Sequence, residues 1–155
     1  MSKTRKAIVI ILSLLIAGTL AFIWGNSMAS TENSEEASSG VFSVFSPLFD
    51  SVFGTGVITE KFFRKMAHFG EFFVLGVEIH LLVLTLKGLN IKPFLLSLPV
   101  GFAVGGIDEI IQIFSNRGAA VKDVFIDFAG FALAFTVFAV AALIKCGKEK
   151  KTKKA

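Results

Sequence analysis

Apolar residues run almost without interruption over four stretches of the chain, each close to the roughly 20 residues that a helix needs to cross a bilayer. The stretches are Ala7–Gly25, Met66–Leu86, Pro93–Phe114 and Val124–Ile144. Polar and charged residues concentrate between them and at both ends. The pattern predicts an all-α fold, a multi-pass membrane protein with four transmembrane helices in one domain over residues 1–155.

The composition favours the same class of protein. Hydrophobic residues make up 54% of the 155 residues, mean hydropathy is +0.73, and Phe outnumbers Tyr by 18 to 0. A water-soluble chain of this size could not bury so much apolar surface, so lipid is expected to be part of its solvent. The basic residues behind the net charge of +4 crowd the chain ends without stacking aromatics, so a nucleic-acid partner is not expected. We also expect no cofactor.

The first apolar stretch has two interpretations. Basic residues precede it, and Ser27-Met28-Ala29 fits a small-x-small cleavage site, as in a secretory signal peptide. Its length and the interfacial position of Trp24 favour an uncleaved helix instead. With four crossings, both Lys/Arg-rich ends lie on the cytoplasmic side, and the short Lys87–Lys92 turn joins them there. The Asn26–Lys65 and Ser115–Lys122 connections are then extracytoplasmic.

The first outer connection divides into two parts. Ser27–Gly40 is rich in Ser and Glu, which is typical of a loop. Val41–Phe53 carries its large apolar residues mostly on one helical face. This predicts a short helix that either lies on the outer leaflet or packs over the bundle, although Pro47 disfavours an unbroken one.

Polar residues recur at three- and four-residue spacing on the last three predicted helices, which places them in stripes. The stripes are Lys61, Lys65, His68, Glu71 and Glu78; Asp108, Glu109 and Gln112; and Asp123 and Asp127, continued by Gly130 and Ala134. Because a charge facing lipid is costly, the stripes are expected to face one another and form a polar pocket that opens outward. Glu78 lies about 10 Å deeper than Glu71 and is either the floor of this pocket or an acid kept neutral by burial. Gly101 and Gly105 continue the stripe of the third helix and allow a close helix contact.

Three hypotheses fit this pocket. In the first, it binds a ligand through Lys65, His68, Glu71, Asp108, Glu109, Gln112, Arg117, Asp123 and Asp127. In the second, it is catalytic, with His68 and Glu71 as base and orienter and Asp108 and Glu109 as acids or metal ligands. In the third, the charges only fold the bundle, for example through an ion pair of Arg117 with Asp123 or Glu109 that ties the turn between the third and fourth helices. The protein then acts as a partner of another membrane protein. Carboxylates around one histidine would suit a hard metal ion, but without a His-x-x-His motif or a cysteine pair no metal is predicted.

Several of these segments resemble the VanZ-like family of bacterial membrane proteins. They are Arg64–Gly76, which contains Lys-x-x-His-x-x-Glu; Asp108–Phe114, which contains Asp-Glu-x-x-Gln; Arg117; and Asp123-Val124-x-x-Asp127-x-x-Gly130. The serines after the first helix, from Ser27 and Ser34 onward, are similar to the family's outer loop. The chain departs from the family at Asp127, where Asn is general, and at Ala134, where Gly is frequent.

The resemblance implies a cell-envelope protein of the bacterial cytoplasmic membrane. The founding member of the family is linked to low-level teicoplanin resistance. A lipid-linked envelope precursor or a glycopeptide is therefore the expected class of ligand, besides membrane lipid itself. A small membrane enzyme and a structural partner of another membrane protein are the alternatives.

Overall fold

The structure, a computed structural model, describes residues 1–29, 31–115 and 120–152. Within these ranges six helices follow one another: α1 Lys3–Met28, α2 Thr31–Phe53, α3 Glu60–Lys87, α4 Ile91–Leu95, α5 Leu98–Phe114 and α6 Val121–Thr152. Four segments are long and apolar enough to cross a membrane: Lys3–Met28, Glu60–Lys87, Ile91–Phe114 and Val121–Lys148. The prediction of an all-α protein with four membrane-spanning helices is confirmed.

The third spanning segment is built from two helices. A turn at Leu96 and Ser97 separates α4 from α5, and Pro99 stands in the first turn of α5. Proline suits a helix start because its missing N–H would be unpaired there anyway. With 17 residues, α5 is only about 25 Å long. The division therefore places the start of α5 inside the bundle rather than at its surface.

Hydrogen bonds at the two ends of α1 fix the direction of the helices. The guanidinium of Arg5 donates to the carbonyls of Thr85 (2.8 Å) and Leu86 (2.9 Å) at the end of α3. At the opposite end of α1, Ser27 contacts α5. We call the end of the bundle formed by Met28, Glu60, Phe114 and Val121 the polar end, and the end with the chain termini the terminal end.

Small residues bring α3 and α6 together along their length. Gly130 lies directly against the backbone of Phe69, where an added Cβ would overlap the carbonyl group. Farther along, a Cβ added at Gly76 would come within 2.8 Å of the Cβ of Ala134. Lipid gives helices no hydrophobic reason to associate, so such close backbone packing is a main source of cohesion within a membrane.

The buried core lies on the inner sides of α1, α3, α5 and α6. It consists of Ile23, Phe72, Leu75, Val104 and Phe131. The ring of Phe131 occupies the space over Gly101, where a side chain would collide with it. Many large apolar side chains on the outer faces of the helices remain exposed, as expected of surfaces that contact lipid.

The first connection differs from its prediction. Because α1 continues to Met28 and α2 begins at Thr31, the predicted loop over Ser27–Gly40 is wrong. Serines are compatible with this helix because their hydroxyls bond carbonyls three residues earlier in the same helix, as Ser39 does. Pro47 does not end α2 either. The carbonyl of Ser43, which loses its helical N–H partner to the proline, accepts a hydrogen bond from the Ser46 hydroxyl at 3.3 Å.

Two apolar edges run along the second half of α2. Phe42, Phe45 and Phe49 surround Phe63 of α3, with ring centroids 5.7 to 6.4 Å apart, so this edge packs over the bundle. The other edge is exposed and comprises Val41, Val44, Leu48 and Val52. A helix with one edge on protein and one edge free suits the membrane interface, and its contact with the outer leaflet remains a prediction.

Candidate functional site

A polar cavity of about 880 Å³ opens at the polar end. Its walls come from α2, α3, α5 and α6. Six of the nine predicted ligand-binding residues line it: Lys65, His68, Glu109, Gln112, Asp123 and Asp127. Glu71 and Asp108 contact the same group of side chains from below. Arg117 lies outside the described residues.

His68 stands between two acidic side chains. Its Nδ1 atom is 3.9 Å from Oε2 of Glu71, one turn along α3, and 4.0 Å from Oδ1 of Asp127 on α6. Both separations are longer than a hydrogen bond, so the three groups face one another across a small gap. The packing of Gly130 on Phe69 brings His68 and Asp127 together. Phe69 directly follows His68 on α3, and Gly130 lies three residues after Asp127 on α6.

Asp108 anchors the bottom of the cluster and is fully buried. One carboxylate oxygen accepts a hydrogen bond from the Ser27 hydroxyl of α1 at 2.6 Å, and the other accepts from the Gln112 amide at 2.8 Å. Asn26, next to Ser27, donates to Oε1 of Glu71 at 3.4 Å. Thus α1 contributes two polar residues to the site. Sequence analysis did not predict Asn26 and Ser27 as site residues, because both follow the predicted first span, which ends at Gly25.

The side chain of Glu109 joins α5 to α6. Its Oε2 atom accepts the backbone N–H of Ala120 at 2.9 Å, immediately before α6 begins, where a negative charge is favourable. Asp123, in the first turn of α6, forms an ion pair with Lys65 of α3. Arg117, the predicted partner of Asp123 or Glu109, is not among the described residues. In the described part of the chain Asp123 pairs with Lys65, and Glu109 accepts the backbone N–H of Ala120.

Two lysines stand at the mouth of the cavity and are largely exposed, Lys61 on α3 and Lys122 on α6. Neither has an ion-pair partner within the ranges that the structure describes. They were not among the predicted ligand-binding residues. A signal for them existed, since Lys61 belongs to the stripe on the second predicted helix, and the predicted topology put Lys122 on the side where cations are unusual.

A second, apolar groove of about 430 Å³ begins beside the cluster. Leu14, Leu15 and Phe22 of α1 and Val74 of α3 line it, together with Glu71. Glu71 lines the groove and His68 lines the polar cavity, and their side chains are 3.9 Å apart, so the two spaces lie close to each other at this residue pair. The groove runs along α1 and α3, two of the helices that are long and apolar enough to span a membrane, and most of its lining residues are apolar.

Two polar residues lie outside this site. Oε1 of Glu78 accepts a hydrogen bond from Thr19 of α1 at 3.1 Å, and Glu78 does not line the cavity. Of the two roles considered for Glu78, the floor of the pocket is therefore not the one that the structure supports. His80 is buried nearer the terminal end, where Nε2 lies 3.0 Å from the hydroxyl of Ser97. The ring of His80 packs against Phe131 and other aromatic rings. This histidine links α3 to the turn that precedes α5.

Four spanning helices, close packing of small residues and a carboxylate-rich cavity at one end define a class of multi-pass membrane protein with a buried polar site. A family profile described as VanZ/LLP1 matches residues 8–143, and the chain belongs to this family. The resemblance noted from the sequence is thereby confirmed. Searches of curated proteins and of solved structures found no match.

Proposed function

We propose that this VanZ-family protein is a cell-envelope protein that binds a lipid-linked ligand at the polar end of its bundle. The polar head of the ligand occupies the 880 Å³ cavity, and its hydrocarbon chain follows the apolar groove between α1 and α3. The observation that carries the proposal is the pair of lysines at the mouth, Lys61 and Lys122, which have no carboxylate partner in the described part of the chain. An anionic head group such as a diphosphate would supply that partner.

The distribution of the basic residues supports the side of the membrane that this proposal requires. Lysine and arginine are denser at the terminal end than at the polar end, which favours cytoplasmic termini in a bacterial cytoplasmic membrane. The cavity then opens on the extracytoplasmic side, where lipid-linked wall precursors are used. A glycopeptide is the competing ligand, since the family's founding member is linked to teicoplanin resistance.

The test compares two pairs of lysine substitutions in protein reconstituted into nanodiscs. Lys61→Gln with Lys122→Gln removes both charges at the cavity mouth, whereas Lys87→Gln with Lys92→Gln removes two exposed charges at the terminal end. Each charge-assisted contact contributes about 1.5 to 3 kcal/mol, and about 1.4 kcal/mol is tenfold in affinity. We expect the first pair to weaken binding of a polyisoprenyl-diphosphate-linked wall precursor at least about tenfold, and the second pair to leave it unchanged.

Equal loss in both pairs would show nonspecific attraction to an anionic lipid and would contradict the proposal. Teicoplanin is titrated in parallel, and preferential binding of teicoplanin would replace the lipid-linked ligand by a glycopeptide. Product analysis after incubation separates binding from catalysis. Turnover that is lost in His68→Gln would establish the enzyme alternative, with Glu71 as orienter and Asp108 and Glu109 as acids. If neither ligand bound, the structural-partner alternative would stand.

A further inference from the structure

The acidic cluster below the cavity has the composition of a metal site. His68 of α3, Asp108 of α5 and Asp127 of α6 each present one ligand atom, and the three atoms lie within 4.8 Å of one another. Each residue is about 9 to 12 Å from the polar end of its own helix at 1.5 Å per residue, so the three side chains share one depth. Three helices thus each place one potential metal-ligand atom at the same position in the bundle.

The spacing of the ligand atoms is close to what an ion requires. Adjacent ligand atoms that each lie about 2.1 Å from one metal ion are about 3.0 to 3.4 Å apart in octahedral or tetrahedral geometry. Shifts of up to roughly 1 Å by each ligand atom would therefore bring imidazole and carboxylates into coordination. Rotation of the side chains alone supplies such shifts, so the helices need not move.

Hydrogen bonding leaves lone pairs available in the cluster. Asp127 is 2% exposed, and its Oδ2 atom is buried without a donor. Oε2 of Glu71, on the other side of His68, is likewise buried without a donor. Asp108 accepts one hydrogen bond on each oxygen, and a carboxylate has about four acceptor positions, so it retains capacity for an ion. A buried acceptor without a donor is costly, and a cation would satisfy several at once.

The negative charge of the cluster and its opening to the polar cavity also favour a bound cation. Glu71, Asp108 and Asp127 place three carboxylates around one imidazole, and among the described residues the nearby Lys65 is already bonded to Asp123. Buried charges of one sign require compensation. His68 and Asp127 also line the polar cavity, which gives an ion a route into the cluster from the polar end.

We propose that His68, Asp108 and Asp127, with Glu71 beside them, bind one divalent first-row transition-metal ion beneath the polar cavity. A mixed set of one imidazole nitrogen and several carboxylate oxygens suits Mn²⁺ or Zn²⁺ better than Ca²⁺, which prefers oxygen ligands alone. The site goes beyond the proposed function and does not depend on it, because the ion is expected to bind without any lipid-linked ligand.

The test measures metal binding by the tag-free full chain in nanodiscs, in a Cys146→Ser background that removes the exposed thiol. After treatment with a chelator, Mn²⁺ binding is followed by the loss of the EPR signal of the free ion, and Zn²⁺ binding by competition with a chromophoric chelator. We expect one ion per chain, and no displacement of Mn²⁺ by equimolar Ca²⁺. Bound Mn²⁺ should show electron spin-echo modulation from a directly coordinated imidazole nitrogen.

Three variants locate the site. His68→Gln and Asp127→Asn preserve side-chain size, and each should weaken metal binding at least about tenfold, since even partners of metal ligands contribute 10- to 100-fold. His68→Gln should also abolish the nitrogen modulation. Asp50→Asn on α2 changes a carboxylate that bonds Gly56 and should leave binding unchanged.

Helical circular dichroism and a single size-exclusion peak establish that each variant is folded. Absence of stoichiometric binding to folded wild-type protein would overturn the metal site. Equal affinity in wild type, His68→Gln and Asp127→Asn, or equal competition by Ca²⁺, would overturn it as well. Because none of these readouts uses a lipid-linked ligand, failure of the metal site and failure of the proposed function are distinguishable.

Discussion

Substitution of Gly130 by leucine is expected to abolish the folded bundle. Gly130 lies on the backbone of Phe69, and the Cβ of any other residue would overlap the Phe69 carbonyl, which cannot move without shifting α3. Overpacking of a tight interior costs about 1 to 3 kcal/mol and more when backbone must separate. The test is SDS-induced unfolding in mixed micelles, followed by circular dichroism and by the fluorescence of Trp24, the single tryptophan.

The matched control is Gly147→Leu on the same helix. A Cβ at Gly147 meets nothing within 4 Å, and leucine has the higher helix propensity, so this variant should unfold at or above the wild-type SDS fraction. The milder Gly130→Ala is expected to fold with reduced stability and to weaken metal binding, because separating α3 from α6 moves His68 away from Asp127. Wild-type stability of Gly130→Leu would contradict the close packing of these two helices.

Ser27→Ala is expected to produce the second large loss of stability. The Ser27 hydroxyl donates to Oδ1 of the fully buried Asp108 at 2.6 Å, and both side chains are inaccessible to solvent. A hydrogen bond to a charged group contributes about 1.5 to 3 kcal/mol, and its loss leaves one oxygen of Asp108 without its donor. The free energy of unfolding measured by SDS titration should decrease by about 1.5 to 3 kcal/mol.

Ser13→Ala serves as the control for this change, since Ser13 is exposed on the same helix and its replacement should stay within about 0.5 kcal/mol. A double-mutant cycle with Gln112→Ala then measures how far the two donors to Asp108 depend on each other. If Ser27→Ala and Ser13→Ala had equal effects, α1 would not be held at the cluster by this contact.

Much of the site could be predicted from sequence periodicity. A charge on a spanning helix has few tolerable positions, so the spacing of His68 and Glu71, of Asp108 and Gln112, and of Asp127 and Gly130 was enough to predict which faces meet. Gly101 and Gly105 were predicted to allow a close helix contact, and at Gly101 the ring of Phe131 occupies the space that a side chain would need.

Other parts of the site carried no such signal. Ser27 and Asn26 are ordinary polar residues at the end of an apolar run, and nothing in the sequence distinguished a helix that continues to Met28 from a loop. Their importance arises from Asp108, on a helix 81 residues away along the chain. The sequence suggested Arg117 as the partner of Asp123, and only the packing of α3 on α6 identified Lys65 as a partner.

Asp127 gives the departure from the family pattern a physical meaning. An asparagine at this position would offer one carbonyl oxygen and one NH2 group, and it would remove one of the three carboxylates around His68. Under the proposed metal site, the aspartate raises the affinity of this protein for a cation. Asp127→Asn therefore reports on the position at which this chain departs from its family.

The central claim, that the polar end is a binding site for a lipid-linked ligand, is tested most directly by photo-crosslinking in cells. A benzoylphenylalanine residue is placed at Ser39, which lines the cavity, or at Leu96, which is exposed near the terminal end. Adducts are identified by mass spectrometry. We expect a polyisoprenyl-diphosphate-linked molecule to be captured from position 39 and only bulk phospholipid from position 96. Capture of the same bulk phospholipids at both positions would contradict the claim.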